Sequence, residues 1–446
     1  MRFYDREKEL ATLAATREIA FNKVSQMTVL TGRRRVGKTK LMLRSCKDTP
    51  TVYLFVSRSS ESTLCQQYSQ IMRESLGVFV PNGINSFREL FQLLMEIGKQ
   101  KAYNLIIDEF QELMNINSAV FGDIQNIWDS TKDESRVNLL VSSSVISLMH
   151  QIFQNYKEPL YGRATSIIRV RPFPVSVLKQ ILTDYAPNYG NDDLLALYAF
   201  TGGVPKYVEL LMDGGAVTME SMVELMVKEN SVFLEEGNIM LVQEFGKKYG
   251  NYYSILAAIA SGANEASRIA DVTGQKSLGG SLQRLEEDYG LIAKLRPIKA
   301  KAGTQTVKYE IKDHFLRFWF RYIVKYQGLV QAERFDILRS LIIQDYPNYS
   351  GHELEAYFRD LLVETQPIEQ IGSWWETSRG KAGDTDQNEI DIVAVFFKER
   401  RVLIAEVKRQ KKNFDEKNFL DKVNMIKTKL FANYKVETTC LTLEDM

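Results

Sequence analysis

Thr31-Gly32-Arg33-Arg34-Arg35-Val36-Gly37-Lys38-Thr39 decides how this chain is read. An apolar run, Met27-Thr28-Val29-Leu30, precedes it and has the character of a buried strand. A helical pattern, Lys40-Leu41-Met42-Leu43-Arg44, follows. G-x-x-x-x-G-K-T between a strand and a helix is the spacing of a phosphate-binding loop. Gly32 and Gly37 let the backbone turn, so that the N–H groups of Arg33, Arg34, Arg35 and Val36 face inward around phosphates. The helix N-terminus adds a partial positive charge. Lys38 is expected on the β- and γ-phosphates of ATP, and the Thr39 hydroxyl on Mg²⁺. A plain glycine turn is the alternative, but all four fixed positions and both flanking elements are present.

Downstream, Asn104-Leu105-Ile106-Ile107-Asp108-Glu109 is a near-continuous apolar run ending in two carboxylates. Such a run suits a central strand of a parallel sheet, and its carboxyl end is where open α/β sheets place ligands. Asp108 is expected to hold Mg²⁺ through water, and Glu109 to polarise the attacking water. The glutamate, with a strand (Thr51–Val56) between the two motifs, points to the additional-strand class of P-loop ATPases. The next apolar run, Val137–Ser144, ends in three serines. Ser143 is taken as the polar residue that meets the γ-phosphate or the water, against a simple helix N-cap by Ser144. In Pro159-Leu160-Tyr161-Gly162-Arg163, Arg163 is placed to stabilise charge on the transferred phosphoryl group, in cis or from a neighbouring subunit of a homo-oligomer. A surface arginine is the plainer reading.

From about residue 176 strands give way to helices, with Thr201-Gly202-Gly203-Val204-Pro205 between two of them. Residues 241–312 have the pattern of a winged helix: three helices, then a hairpin around Lys299, Lys301 and Gly303. The third helix carries Lys276, Ser277, Gln283 and Arg284 and is a candidate for a DNA major groove. Residues 313–346 form an aromatic helical linker, and Pro347-Asn348-Tyr349-Ser350-Gly351 marks a boundary.

The last hundred residues follow an α-β-β-α pattern and suggest a second chemistry. Glu389–Val395 and Val402–Lys408 alternate as strands. Glu406 and Lys408 then share a face. Asp391 and Glu406 are expected to bind one divalent metal through hard oxygens, Lys408 to orient a water, and Glu355 to reach in from the preceding helix. This is the arrangement of restriction-type nucleases. Residues 398–429 hold eleven basic and five acidic side chains, a local excess suited to phosphates.

Composition bounds these readings. The 446 residues allow two to four domains, and 57 basic against 56 acidic residues leave no global case for nucleic-acid binding. Cys46, Cys65 and Cys440 show no metal or redox spacing, which suits a reducing cytoplasm. No long apolar run suggests a membrane span, and the first residues lack the apolar core of a signal peptide. His150, His314 and His352 are dispersed.

Gly32–Thr39, Leu105–Glu109, Tyr161-Gly162-Arg163, Gly202-Gly203-Val204-Pro205 and Asp391…Glu406-Val407-Lys408, in this order, resemble the archaeal-type ATPase family, near the signal-transducing branch of AAA+. Its members often carry a C-terminal PD-(D/E)XK nuclease-like domain. The resemblance implies an α/β chain: a P-loop ATPase core (1–175), a helical lid (176–240), a winged helix (241–312), a helical linker (313–346) and the nuclease-like domain (347–446). It implies a Mg²⁺-ATPase with a DNA-linked role, with a slow nucleotide-regulated scaffold as the alternative. The polar loop Glu376–Asn388 departs from the family pattern.

Overall fold

In the computed structural model, residues 1–246, 249–275, 277–301, 303–304, 307–376 and 388–446 are described. The chain divides into two compact units. One comprises Tyr4–Pro172, the other Met1–Phe3 with Phe173–Met446.

The Tyr4–Pro172 unit is built on a five-stranded parallel sheet. Its strands are β1 (Gln26–Thr31), β2 (Thr51–Phe55), β3 (Tyr103–Asp108), β4 (Val137–Ser143) and β5 (Ser166–Arg169), in the spatial order β2-β3-β4-β1-β5. β1, β3 and β4 are buried on both faces, which explains their largely apolar sequences. The strand inserted between the phosphate-loop strand and the carboxylate strand is β4, not the Thr51–Val56 run. That run separates the two motifs in sequence but pairs with the outer side of β3, as β2 at the sheet edge. The additional-strand arrangement therefore comes from a different strand than the sequence reading used. Helices Glu61–Leu76, Phe87–Gln100 and Val120–Thr131 supply much of the core against one face. The first helix, Glu7–Asn22, follows two residues of left-handed backbone, Asp5 and Arg6.

The second unit begins with five helices: Val175–Tyr185, Asn191–Thr201, Pro205–Asp213, Met219–Met226 and Val232–Phe245. Three more (Tyr249–Ala260, Ala266–Thr273, Gly279–Glu287) precede an antiparallel hairpin of β6 (Ile292–Leu295) and β7 (Lys308–Ile311). Lys276 lies outside the described residues. The hairpin is tied to the C-terminal strands. Ile298 donates its N–H to the Ser373 carbonyl at 2.9 Å and belongs to the C-terminal core. Lys308 pairs with Glu389 at 3.0 Å and lies 4.7 Å over the Trp375 ring.

The aromatic segment is core, as its spacing suggests. Phe318 packs on Phe200, and Phe315 on Tyr207. The expected boundary at Pro347–Gly351 is corrected. Those residues lie inside one helix, Phe335–Thr365. A proline costs a helix about 3 kcal/mol. Tyr346 and Tyr349 offset this by packing on Asn191–Thr201: the Tyr346 hydroxyl donates to the Asp192 carbonyl and the Tyr349 hydroxyl to the Ala199 carbonyl, and the buried Ser350 accepts from Arg409.

The C-terminal sheet contains β8 (Ile368–Glu376), β9 (Asn388–Phe396), β10 (Arg401–Lys408) and β11 (Lys435–Thr442), in the order β11-β10-β9-β8. β10 and β11 are parallel, joined through helix Glu416–Leu430; the other pairs are antiparallel. The α-β-β-α expectation thus becomes α-β-β-β-α-β, with β8 and β11 added. β8 mixes Glu, Gln and Gly with its tryptophans, so its alternation is weak in the sequence. The loop named as departing from the family pattern falls mostly on 377–387, outside the described residues.

Candidate active sites

The phosphate loop closes as its glycines require. Gly32 (φ 154°) lies so near the Val170 carbonyl that a Cβ would come within 2.4 Å of that oxygen, and Gly37 (φ 89°) starts the Lys38–Ser45 helix in left-handed backbone. Arg35 is also left-handed (φ 69°), and Val36 is buried. Lys38 is buried and folds across its own loop, donating to the carbonyls of Gly32 at 2.7 Å and Arg33 at 3.0 Å.

Asp108, at the end of β3, gathers four donors. Its Oδ2 accepts from the Thr39 hydroxyl at 2.6 Å and the Tyr53 hydroxyl at 3.1 Å. Its Oδ1 accepts from the Ser142 hydroxyl and from the Glu109 N–H at 3.1 Å. Thr39 and Asp108 are therefore in contact, close enough to serve one hard cation together. A hydroxyl and a carboxylate are the oxygen donors Mg²⁺ takes. Burial, then the Asp108 charge, pushes the Tyr53 hydroxyl well above its ordinary pKa, so it remains a donor.

Glu109 sits in left-handed backbone (φ 54°), an uncommon conformation for a residue with a Cβ. Its carboxylate accepts from Ser144 at 2.9 and 3.0 Å and from Gln111 Nε2 at 2.7 Å. The choice of Ser143 is corrected here. Its hydroxyl bonds the Val145 backbone, while its neighbours on either side reach the two carboxylates. At the end of β4 the three hydroxyls diverge, and the run of serines alone does not say which turns inward. Tyr53 and Gln111 were not singled out in the sequence. The place of β2 beside β3 would have pointed to Tyr53, and a buried glutamine two residues after Glu109 is the only trace of Gln111. Arg163 bonds Asp129 at 3.0 Å and the Tyr161 carbonyl at 2.8 Å.

The second cluster lies on the C-terminal sheet. Lys408 Nζ is 2.9 Å from Glu406 Oε1 and 3.9 Å from Asp391 Oδ2, so β9 and β10 bring these three together. Asp391 Oδ2 also accepts the Val407 N–H at 2.8 Å. Burial, then the charges of Glu355 and Glu406, pushes the Asp391 carboxyl up to about 7. Burial works against the Lys408 charge, but the Glu406 hydrogen bond and the surrounding carboxylates outweigh it and raise its pKa. Glu355 is tethered by Arg359 at 3.6 Å, which also donates to the Asp391 carbonyl at 3.3 Å. Glu406 is buried, and its Oε2 has no hydrogen-bond partner among the described residues. Lys422, from the following helix, comes within 3.9 Å of Glu406 Oε1 and was not anticipated. Among the described residues no group of three or more His, Cys, Asp or Glu is placed to hold a metal. Two carboxylates, one of them with an unsatisfied oxygen, fit a cation only with further ligands from water or a bound phosphate.

Residues 3–211 match the model of an ATPase domain family found predominantly in Archaea, and residues 319–420 match one described as archaeal and bacterial proteins of unknown function. An uncharacterized protein of Methanocaldococcus jannaschii is 29% identical over 416 residues, covering 91% of this chain and 87% of its own. Among solved structures, a Walker-type ATPase of Pyrococcus abyssi aligns with a TM-score of 0.54 at 21% identity, over 72% of this chain and 96% of that one. The ORC2 protein of Aeropyrum pernix, solved in ADPNP–ADP complexes, aligns with a TM-score of 0.52 at 12% identity, over 75% and 96%. These likenesses establish the P-loop ATPase fold. No helix among the described residues is long and apolar enough to cross a membrane.

Proposed function

We propose, for a chain whose N-terminal half belongs to the ATPase domain family found predominantly in Archaea, that it is a Mg²⁺-dependent ATPase whose nucleotide state governs a winged-helix and nuclease-like C-terminal portion acting on DNA. The observation that carries the ATPase reading is the Thr39–Asp108 contact beside Glu109. Lys38 would exchange its carbonyl partners for the β- and γ-phosphate oxygens. Thr39 and Asp108 would hold Mg²⁺, which when bound offsets phosphate charge. Glu109 would take the proton of the attacking water as that oxygen bonds to the γ-phosphorus and the β–γ bridging bond breaks. Arg163, released from Asp129, would meet the charge on the transferred group. Nucleotide in the ORC2 structure is consistent with this chemistry on the shared fold.

For the C-terminal portion, support comes from the convergence of Asp391, Glu406 and Lys408, with the Glu355 charge near enough to act on Asp391. Asp391 and Glu406 would hold a divalent cation completed by a backbone phosphate. The cation, when bound, would activate a water that Lys408 orients. The basic stretch 398–429, the exposed Gln283 and Arg284, and Lys299 and Lys301 of the hairpin would engage phosphates. Cleavage of a DNA duplex in Mn²⁺ or Mg²⁺ should disappear in Asp391→Ala while ATP hydrolysis persists. Cleavage that persists in Asp391→Ala would refute the assignment.

A second reading, a nucleotide-regulated scaffold with slow turnover and an inactive C-terminal site, is favoured by one observation. Lys408 and Lys422 both lie against Glu406, at 2.9 and 3.9 Å, and their charges balance it. DNA retention without cleavage, weakening steeply with salt, would select it.

A further inference from the structure

We infer that Gln111 is a positioning residue for ATP hydrolysis, fixing the Glu109 carboxylate and offering its own carbonyl oxygen to the attacking water. The inference rests on reading Glu109 as the base.

Gln111 follows β3 in the short helical turn Phe110–Glu112, whose neighbours Phe110 and Leu113 enter the apolar core. A long polar side chain buried there at 2% exposure needs a reason. Half of the reason is visible: Nε2 donates to Glu109 Oε2 at 2.7 Å. That bond settles which end of the amide faces the carboxylate, because the reverse orientation would set a carbonyl oxygen against an anion. The other half is unexplained by the protein. Gln111 Oε1 is buried with no hydrogen-bond partner among the described residues. A structural glutamine has both ends satisfied, since an orphaned buried acceptor is costly. Here the acceptor lies on the amide that grips the proposed base, so the donor that fits it is the water that base would deprotonate.

Ser144 completes the arrangement. Its hydroxyl reaches both Glu109 oxygens from the end of β4, so the carboxylate is fixed from two elements. The left-handed backbone at Glu109 also belongs here, because it turns the side chain toward Gln111 and Ser144 rather than along the strand. Pre-set orientation of this kind acts on the chemical step, whereas the loop and Lys38 act on binding.

The test uses the full chain with Mg²⁺ and ATP. Gln111→Met keeps the length and apolar contacts but loses the donor and acceptor; Gln111→Glu keeps acceptors but loses the donor. Both should lower kcat about tenfold to a hundredfold. Affinity for a non-hydrolysable ATP analogue should change less than about threefold, and the melting temperature little. Glu109→Gln is run alongside. An inactive Glu109→Gln with a Gln111→Met within twofold of wild type would overturn this inference alone. A fully active Glu109→Gln would overturn the reading of the base beneath it. A Gln111→Met that loses kcat, affinity and melting temperature together would show a structural glutamine and also overturn it.

Discussion

Lys38 and Glu109 divide the nucleotide chemistry into binding and turnover, and single substitutions should separate the two. The Lys38 ammonium rests on the Gly32 and Arg33 carbonyls at 2.7 and 3.0 Å, so it is already held inside its own loop. Lys38→Ala should weaken ATP binding by two orders of magnitude or more, at about 1.4 kcal/mol per factor of ten. Isothermal titration with an ATP analogue measures this. Glu109→Gln keeps the size and loses the base. It should bind ATP within a few fold of wild type and lose at least about a hundredfold in kcat. Wild-type turnover in that variant would assign water activation elsewhere. The identities of Lys38, Thr39, Asp108 and Glu109 were legible because motif spacing fixes them. The choice among Ser142, Ser143 and Ser144 was not, because it depends on the backbone path after β4. Tyr53 and Gln111 reach the carboxylates from a neighbouring strand and a turn, which no local pattern in the chain records.

The helix Phe335–Thr365 shows where sequence patterns and packing part. Pro347 is a breaker by local rule, but Tyr346, Tyr349 and Ser350 are buried, and their contacts hold the helix through it. The strands were legible wherever both faces are apolar, as in β1, β3 and β4. β8 was not, because its polar residues interrupt the alternation. Pro347 is itself exposed, so Pro347→Ala should stabilise by about 1 kcal/mol: the restored backbone bond outweighs the freedom gained by the unfolded chain. A urea midpoint that falls would contradict a continuous helix at that point. Further along the same helix, Glu353 is buried against Arg317 at 3.1 Å and against His314. Burial alone would raise its pKa, but the Arg317 and His314 charges outweigh burial and hold its carboxyl at about 2. Because the folded value lies below the ordinary one of about 4.3, this pair stabilises fully above that pH and fades as pH falls toward 2. Glu353→Gln should therefore cost about 3 kcal/mol at pH 7, by leaving the part-buried Arg317 guanidinium with the looser Glu310 contact at 3.6 Å in its place. Urea melts should show the gap from wild type narrowing below pH 4.5. A constant gap would mean that packing, not charge, is what the substitution removes.

At the scale of the whole molecule, the open question is whether one chain suffices for hydrolysis. Arg163 belongs to the same compact unit as the phosphate loop, yet its guanidinium is held by Asp129 at 3.0 Å and by the Tyr161 carbonyl. Asp129 is 41% exposed and Arg163 29%, so the pair is solvent-screened, worth at most about 1 kcal/mol, and easily exchanged for a phosphate. An arginine loosely held near the surface suits donation to a neighbour. If Arg163 serves the next subunit, turnover per chain should rise with protein concentration and then saturate. Mixing then gives a sharper result. Arg163→Ala keeps its nucleotide site and lacks the arginine, while Lys38→Ala keeps the arginine and lacks the site. In a two-fold dimer mixed one to one, half the dimers are mixed, and each has one site that is complete. Recovered activity should approach about a quarter of wild type per chain. A ring would exceed or fall below this according to how many neighbours each site needs. No recovery, together with turnover independent of concentration, would place Arg163 in its own subunit's site.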